Sequence, residues 1–467
     1  MATTDDNHLI VLEKCHVSPP PNTVGQRSLP LTFFDLGWLL FHPLQQLFFY
    51  NFPHPKSHFI DTIIPKLKHS LSITLQHFFP FAGNLLLFPS SSTKPEIRHV
   101  DADSIALTFA ECDLDFNHLK GNQPRDCNMF HPLVPRLENA FKETDDIVKI
   151  PVFSIQVTIF PNSGFTIGLT NHHALCDATT SYDFLMAWTS IARHGTDELF
   201  LLSSDQSLPF YDRVIQYPSL LDDMILSLPP IRTIDETYTA PELLPHADKL
   251  RFTLVLTLSQ INRLKKWVSV QVPSLEVIVS SFAVGCGFAW SCIAKSRVEV
   301  LGTEGEYEEE RFTCMANWRA RLNPPLPPTY FGNCVGPIMA TTKTTSIIGD
   351  KGFPIAAELL ATAIREGVKC KEGVFKDAET WMERFLRDVP TMGVAGTPKL
   401  NVYEVDFGWG KPEKYETISI DFGTTLSVNA SKESSEGLEI GLWLPAKQMD
   451  AFISISKNEL ENMHSVS

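Results

Sequence analysis

Val152-Phe-Ser-Ile-Gln-Val-Thr-Ile-Phe160, Pro161-Asn-Ser-Gly164 and Phe165-Thr-Ile-Gly-Leu-Thr170 lead without interruption into Asn171-His-His-Ala-Leu-Cys-Asp177, and the fold is read outward from here. Two β-rich runs around a Pro/Asn/Ser/Gly cluster predict a hairpin. After Asp177, the run from Ala178 to Ala192 spaces Phe184, Trp188 and Ile191 along one helical face. Residues 171–177 are therefore a strand-to-helix connection. Loops of this kind on a rigid scaffold hold catalytic groups at the mouth of a cleft.

The His173-x-x-x-Asp177 spacing is weak on its own, because with 15 histidines about one such spacing arises by chance. A second copy is present in His99-Val-Asp-Ala-Asp103, set among Pro95, Glu96, Arg98 and Asp101 with no apolar run leading into it. Context selects His173 over His99. Taken alone, His172-His173 reads equally well as two loop histidines satisfied by backbone groups. No Cys-x-x-Cys or His-Glu-x-x-His accompanies them, so no metal is expected.

At 467 residues the chain exceeds what one core supports, so two domains are expected. Hydrophobic residues at 43% and charged residues at 20% describe a globular protein with large cores. A net charge of −15 argues against nucleic-acid or anionic-membrane partners, which need a broad basic face. The nine cysteines show no paired pattern and read as free thiols of a reducing compartment. The start, Met1-Ala-Thr-Thr-Asp-Asp-Asn7, lacks the features of a signal peptide, and the most apolar stretch, 36–50, is broken by His42, Pro43, Gln45 and Gln46. A cytosolic location is expected.

Residues 1–198 alternate strand and helix patterns, with an amphipathic helix over 60–75 ended by Phe78-Phe-Pro-Phe-Ala-Gly83. Residues 199–249 are proline-rich without sustained periodicity and predict a long crossover. Residues 250–467 open with the strand Arg251-Phe-Thr-Leu-Val-Leu-Thr257 and a helix capped by Ser259. The glutamate-rich run 304–310 predicts a solvated loop. Asn317-Trp-Arg-Ala-Arg321 leads through four prolines to Tyr330-Phe-Gly-Asn-Cys334, and Asp406-Phe-Gly-Trp-Gly410 brackets a tryptophan between two glycines, which suggests a tight backbone path against the ring.

These motifs, with Phe79-Pro-Phe-Ala-Gly-Asn84 and Ser280-Ser-Phe282…Trp290 in order between them, resemble the plant BAHD acyltransferase family over essentially the whole chain. Leu29-Pro-Leu-Thr-Phe-Phe-Asp35 and Tyr330 to Cys334, including Gly332 and Asn333, look like the clade that acylates sugars on flavonoids, anthocyanins and other phenolic glycosides. The resemblance implies an α/β fold of two domains similar to chloramphenicol acetyltransferase, joined by the crossover, with a channel at their interface that admits acyl-CoA from one face and the acceptor from the other. It implies a monomer with no bound cofactor, acyl-CoA being a cosubstrate.

By the same resemblance His173 is the general base. Asp177 is structural and paired with an arginine, for which Arg319 and Arg321 are candidates. Asp406, Phe407, Gly408, Trp409 and Gly410 form a scaffold motif. Lys265, Lys266, Ser280 and Ser281 are candidates for the CoA phosphates. An imidazole with an ordinary pKa of about 6.5 suits proton removal from a sugar hydroxyl and return to the leaving thiolate, with no acyl-enzyme.

Malonyl-CoA is the leading donor, because Gly396-Thr-Pro-Lys399 and Tyr330 to Cys334 look like malonyltransferase variants. Hydroxycinnamoyl-CoA is the alternative, since Thr179 stands where some malonyl users carry a basic residue to meet the malonyl carboxylate. Covalent transfer through Cys176 and a non-catalytic binding homologue are the remaining readings.

Overall fold

The computed structural model describes residues 8–463, apart from 90, 92, 203–207, 273–278, 370–373, 377, 382–388 and 435. The predicted hairpin is the centre of a six-stranded sheet. Phe153–Phe160 and Gly164–Asn171 pair antiparallel from Phe153↔Asn171 to Phe160↔Gly164, and every residue of both strands is buried. The polar residues on their second face are buried as well, with Gln156 donating to Pro132 O and Thr170 to Pro135 O. The turn is closed by Ser163 N donating to Phe160 O, with Asn162 at a φ of +62°.

The full order of this sheet is Leu9–Val17, Ile105–Cys112, Phe153–Phe160, Gly164–Asn171, Leu44–Asn51 and Lys414–Thr417. Its last strand comes from the second half of the chain. A seven-stranded sheet repeats the exchange in the other direction: it runs from Val335–Thr342 through Glu310–Asn317, Thr391–Ala395, Thr425–Ala430, Leu438–Pro445 and Lys249–Leu256 to Arg125–Asp126. A smaller five-stranded sheet carries Glu96–His99 and Asn84–Leu87. Each half thus lends a strand to the other's sheet.

The cores show the same interlocking. Trp318, Tyr330, Phe331, Cys334, Val405 and Phe407 of the second half bury in the core of the first. A second core is built from residues beyond 250 alone, around Trp290, Phe288 and Phe353. Where the exchanged strands meet, a charge cluster is sealed from water. Arg125 lies 2.9 Å from Glu416, Arg251 reaches both Glu416 and Asp421, and His131 Nε2 lies 3.0 Å from Asp421. Burial would raise the Glu416 carboxyl, but Arg125, Lys414 and Arg251 together outweigh it and hold it at about 2.

Helix Ala178–His194 packs as expected, with Phe184, Trp188 and Ile191 buried and Trp188 Nε1 donating to Ser70 in helix Ile64–His77. The latter is preceded by a π-helical turn over Phe59–Ile63. The stretch 199–249 contains short helices at Leu220–Leu226 and Pro229–Arg232 and is pinned to the body, with Tyr211 donating to His77 O and Arg213 to Pro30 O.

Two local expectations are corrected. Helix Leu258–Gln271 is capped by Thr257, not Ser259, because Gln260 three residues on completes a capping box with Thr257. The run 304–310 is not all solvated: Glu310 begins a strand and is 3% exposed, accepting from Trp290 Nε1 and pairing with Arg297. A buried glutamate persists there because both partners meet it. No helix among the described residues is long and apolar enough to cross a membrane.

Candidate active site

His173 lies two residues past the end of strand Gly164–Asn171 and is held from both halves of the chain. Its carbonyl accepts from Asn333 Nδ2 at 3.0 Å, and Asn333 also donates to Asp35 Oδ1 from its backbone N at 2.8 Å and from Nδ2 at 3.2 Å. The imidazole stacks on Trp38, with centroids 3.8 Å apart and planes 7° apart, and meets the edge of Phe41 at 5.4 Å. Beyond it, His42 stacks on Phe422 at 4.3 Å.

The residue is 8% exposed, and Nδ1 has no partner with hydrogen-bond geometry. Burial drives its pKa down to about 3, with the residue's own carbonyl and Asp177 acting upward and His42 and His172 downward. His173 is therefore neutral at physiological pH and free to accept a proton, but the ordinary value of about 6.5 expected from the sequence is corrected downward, because burial disfavours the charged ring and makes it a weaker base. Its neighbour His172 is also lowered by burial, to about 4, and its Nδ1 accepts from Ala174 N at 3.2 Å.

Asp177 is turned away from His173. Its Oδ1 accepts from Thr179 N and Thr180 N, capping the following helix, and from Arg319 Nη2 at 3.0 Å; its Oδ2 accepts from Arg319 Nη1 at 2.7 Å and Cys334 N at 3.0 Å. Such saturation leaves it no capacity to orient an imidazole. Of the two arginine candidates the structure selects Arg319, 2% exposed. Arg321 donates to Asn317 O and stays on the surface, because the 3-10 turn Arg319–Arg321 sends the two side chains apart.

Tyr330 to Cys334 is the clamp on this pair. The carbonyls of Tyr330 and Gly332 accept from Arg319 Nη2 at 3.0 and 2.9 Å, and Tyr330 OH accepts from Arg213 at 2.7 Å. Gly332 has a φ of +111°, and a Cβ there would lie 2.9 Å from Arg213 Nη1 and 3.1 Å from Asp35 Oδ1. Both strain and space demand glycine.

The Asp406 motif is a turn. Asp406 Oδ1 accepts from Gly408 N at 2.7 Å and Gly410 N at 3.1 Å, both glycines at positive φ, while Arg193 donates to Asp406 O. Phe407 is buried against Trp188, and Trp409 stacks on Phe407 with centroids 5.2 Å apart. The predicted tight path against the ring is thus a glycine-permitted turn around a carboxylate.

Lys265 Nζ reaches Ser281 Oγ at 3.0 Å, Lys266 is exposed, and Ser280 caps helix Ser281–Leu301 by accepting from Ala283 N. Cys176, the candidate nucleophile, is fully buried, and its thiol pKa is pushed well above the ordinary value by that burial. Among the described residues a grouping of Cys127, His131 and Asp421 has metal-ligand chemistry, and in it Arg251 pairs with Asp421 Oδ1 and His131 with Oδ2.

Sequence reasoning missed Trp38, Phe41, His42 and Arg213. Only Asp35 left a local trace: Thr32-x-x-Asp35 is a capping box, which the structure forms through Asp35 Oδ2 and both Thr32 N and Oγ1 at 2.8 Å.

A family model described as the Transferase family matches residues 8–459. The malonyl-coenzyme A:anthocyanin 3-O-glucoside-6''-O-malonyltransferase of Dahlia pinnata is 50% identical over 459 residues, covering 97% of this chain and 98% of that one. Phenolic glucoside malonyltransferase 1 of Nicotiana tabacum is 39% identical over 421 residues, covering 90% and 91%. Vinorine synthase shares the fold, with a TM-score of 0.68 at 20% identity over 95% of this chain and 96% of its own. With its mixed α/β sheets and its motifs in order along the chain, the protein belongs to the Transferase family, the BAHD acyltransferases that its sequence resembles.

Proposed function

We propose that this protein transfers an acyl group from acyl-CoA, with malonyl-CoA as the leading donor, to a sugar hydroxyl of a phenolic glycoside such as the 6''-OH of an anthocyanin or flavonoid glucoside. The observation that carries this reading is 50% identity, end to end, to a malonyltransferase of that acceptor class. His173 is the base. As the sugar oxygen attacks the thioester carbonyl, the imidazole takes the hydroxyl proton. The C–S bond then breaks, the imidazolium returns the proton to the CoA thiolate, and ester and free thiol leave.

Direct transfer is supported by Cys176, whose sealed, protonated thiol is a poor nucleophile. The neutral imidazole with an unpartnered Nδ1 supports the base role, and the saturation of Asp177 supports a structural one. The same turn-forming evidence supports a scaffold role for Asp406. Lys265, beside the N-terminus of helix Ser281–Leu301, and the exposed Lys266 are assigned to the CoA phosphates, which that helix end favours. The enzyme acts as a cytosolic monomer, a reading supported by the eight free cysteines among the described residues and by the resemblance.

Equal concentrations of malonyl-CoA and coumaroyl-CoA with one flavonoid glucoside test the donor. A product mass corresponding to malonylation is expected. A coumaroylated product transfers the assignment to the aromatic donor, and no release of CoA thiol with any donor and a panel of glucosides overturns the enzymatic reading.

A further inference from the structure

General-base catalysis requires the His173 ring to carry a positive charge between taking the sugar proton and giving it up. In a buried site that charge is costly, and the familiar remedy is a carboxylate on the far ring nitrogen. This site has none. Nδ1 lacks a partner, and both Asp177 oxygens are taken by Arg319 and backbone N–H groups. Of the other titratable groups near the ring, His172 and His42 oppose a cation, and Asp177 favours one but is turned away and paired with Arg319.

What meets the ring instead is an indole. Trp38 lies face to face with the imidazole at 3.8 Å, and Phe41 braces both, at 5.0 Å and 89° to Trp38 and 5.4 Å and 82° to His173. The stack is held in register through one buried residue, by its main-chain carbonyl on one side and its carboxylate on the other. Asp35, 0% exposed, holds Thr32 at the start of helix Phe33–Leu36; the backbone N of Trp38 donates to Asp35 O at 3.1 Å; and Asp35 Oδ1 receives the Asn333 side chain that also donates to His173 O. Both rings are thus tied to Asp35 within a few bonds.

We propose that Trp38 is the positioning residue of the base: its face fixes the plane of the His173 ring and stabilises the imidazolium formed during transfer, in place of a carboxylate. The inference rests on His173 acting as the general base. Proton bookkeeping is unchanged, since Trp38 neither gives nor takes a proton. A cation over a tryptophan face is the strongest of the aromatic pairings, and the charge exists only along the reaction path, so the effect falls on kcat rather than KM.

The test compares Trp38→Leu, Trp38→Phe and replacement of Trp38 alone by a tetrafluorinated tryptophan, which keeps the shape and removes the negative face. Trp38→Leu should lower kcat by about 2- to 30-fold, with KM for malonyl-CoA and for the glucoside within about 2-fold of wild type. Trp38→Phe should recover much of the loss, and the fluorinated ring should reproduce the leucine defect. An unchanged kcat with the fluorinated ring, or a raised KM at constant kcat in Trp38→Leu, overturns the proposal and makes Trp38 a lining of the substrate path. If Trp38→Leu fails to fold, the fluorinated enzyme decides alone. His173→Ala separates the two levels: wild-type turnover there removes the base itself, whereas an inactive His173→Ala beside an indifferent Trp38 series removes only this inference.

Discussion

His99-x-x-x-Asp103 and His173-x-x-x-Asp177 share a spacing, and their aspartates meet nearly the same fate. Asp103 pairs with buried Lys149 at 2.8 Å and accepts from Val100 N; Asp177 pairs with buried Arg319 at 2.7 Å and accepts from Thr179 N and Thr180 N. The histidines part company. His99 ends a strand of the five-stranded sheet, 1% exposed, with Nδ1 at 3.1 Å from Gly25 O, whereas His173 stands past a strand end where the two halves meet, on an indole and with Nδ1 unpartnered. The shared pattern is therefore a device for capping a turn or helix with a carboxylate. Chemistry depends on what faces the histidine.

The sharpest way to break this comparison is to remove each imidazole. His173→Ala should lower kcat by about 100-fold or more, while His99→Ala should leave kcat within about 3-fold once the folded fraction is matched. Equal losses, measured as CoA thiol release, would erase the distinction.

Next in size is the loss of the aspartates. Asp177→Ala strands Arg319 among acceptors that are all buried, at a cost of about 3–5 kcal/mol in unfolding free energy. Asp103→Ala should cost less, about 1–3 kcal/mol, since Lys149 keeps a second carboxylate, Glu143, within 3.7 Å. Urea unfolding midpoints of the two variants measure the order, and a reversal would show that the motif aspartate is not the heavier anchor.

Acid should act on the region around His173. His172 and His173 are held neutral by burial, with folded values of about 4 and about 3, so below the ordinary histidine value the unfolded chain binds protons first. Their contribution is complete above about pH 6.5 and is lost as pH falls towards 4, at roughly 1.4 kcal/mol per pH unit for each histidine. Stability curves at pH 7 and pH 5 should differ accordingly, and His172→Asn should remove about half of the slope. An unaltered slope would mean that the pair is not buried neutral.

The smallest expected effect is at Gly332. A Cβ at φ +111° beside Arg213 and Asp35 costs about 1–3 kcal/mol and disturbs the Asp35–Asn333 link to His173. In Gly332→Ala, turnover should fall more than thermal stability predicts; activity that tracks the folded fraction alone would show that the link does not position the base.

Much of this was legible in residue order. The hairpin is written as two β-rich runs around Pro161-Asn-Ser-Gly164, and the helix after Asp177 as Phe184, Trp188 and Ile191 on one face, because neighbours a few residues apart determine both. The Asp406 turn is announced by its glycines, since positive φ is a local demand. The capping of Leu258–Gln271 was equally local but went to the wrong residue, as the competing Thr257-x-x-Gln260 box is two-sided and prevails over a lone serine.

Other features have no local signature. Arg319 and Arg321 differ by two positions and carry the same side chain; which one enters the core was decided by the turn and by Asp177, 142 residues away. Glu310 is buried because Arg297 and Trp290 await it, and Lys414–Thr417 joins the first sheet because the edge of Leu44–Asn51 offers it unpaired backbone groups. The sequence by itself determined the hairpin, the helix after it and the family, all matters of periodicity and short-range order. Only the tertiary structure decided that Asp177 faces Arg319 and that Trp38 faces His173, because contacts between residues more than a hundred positions apart are set by how distant elements pack together, which residue order does not display.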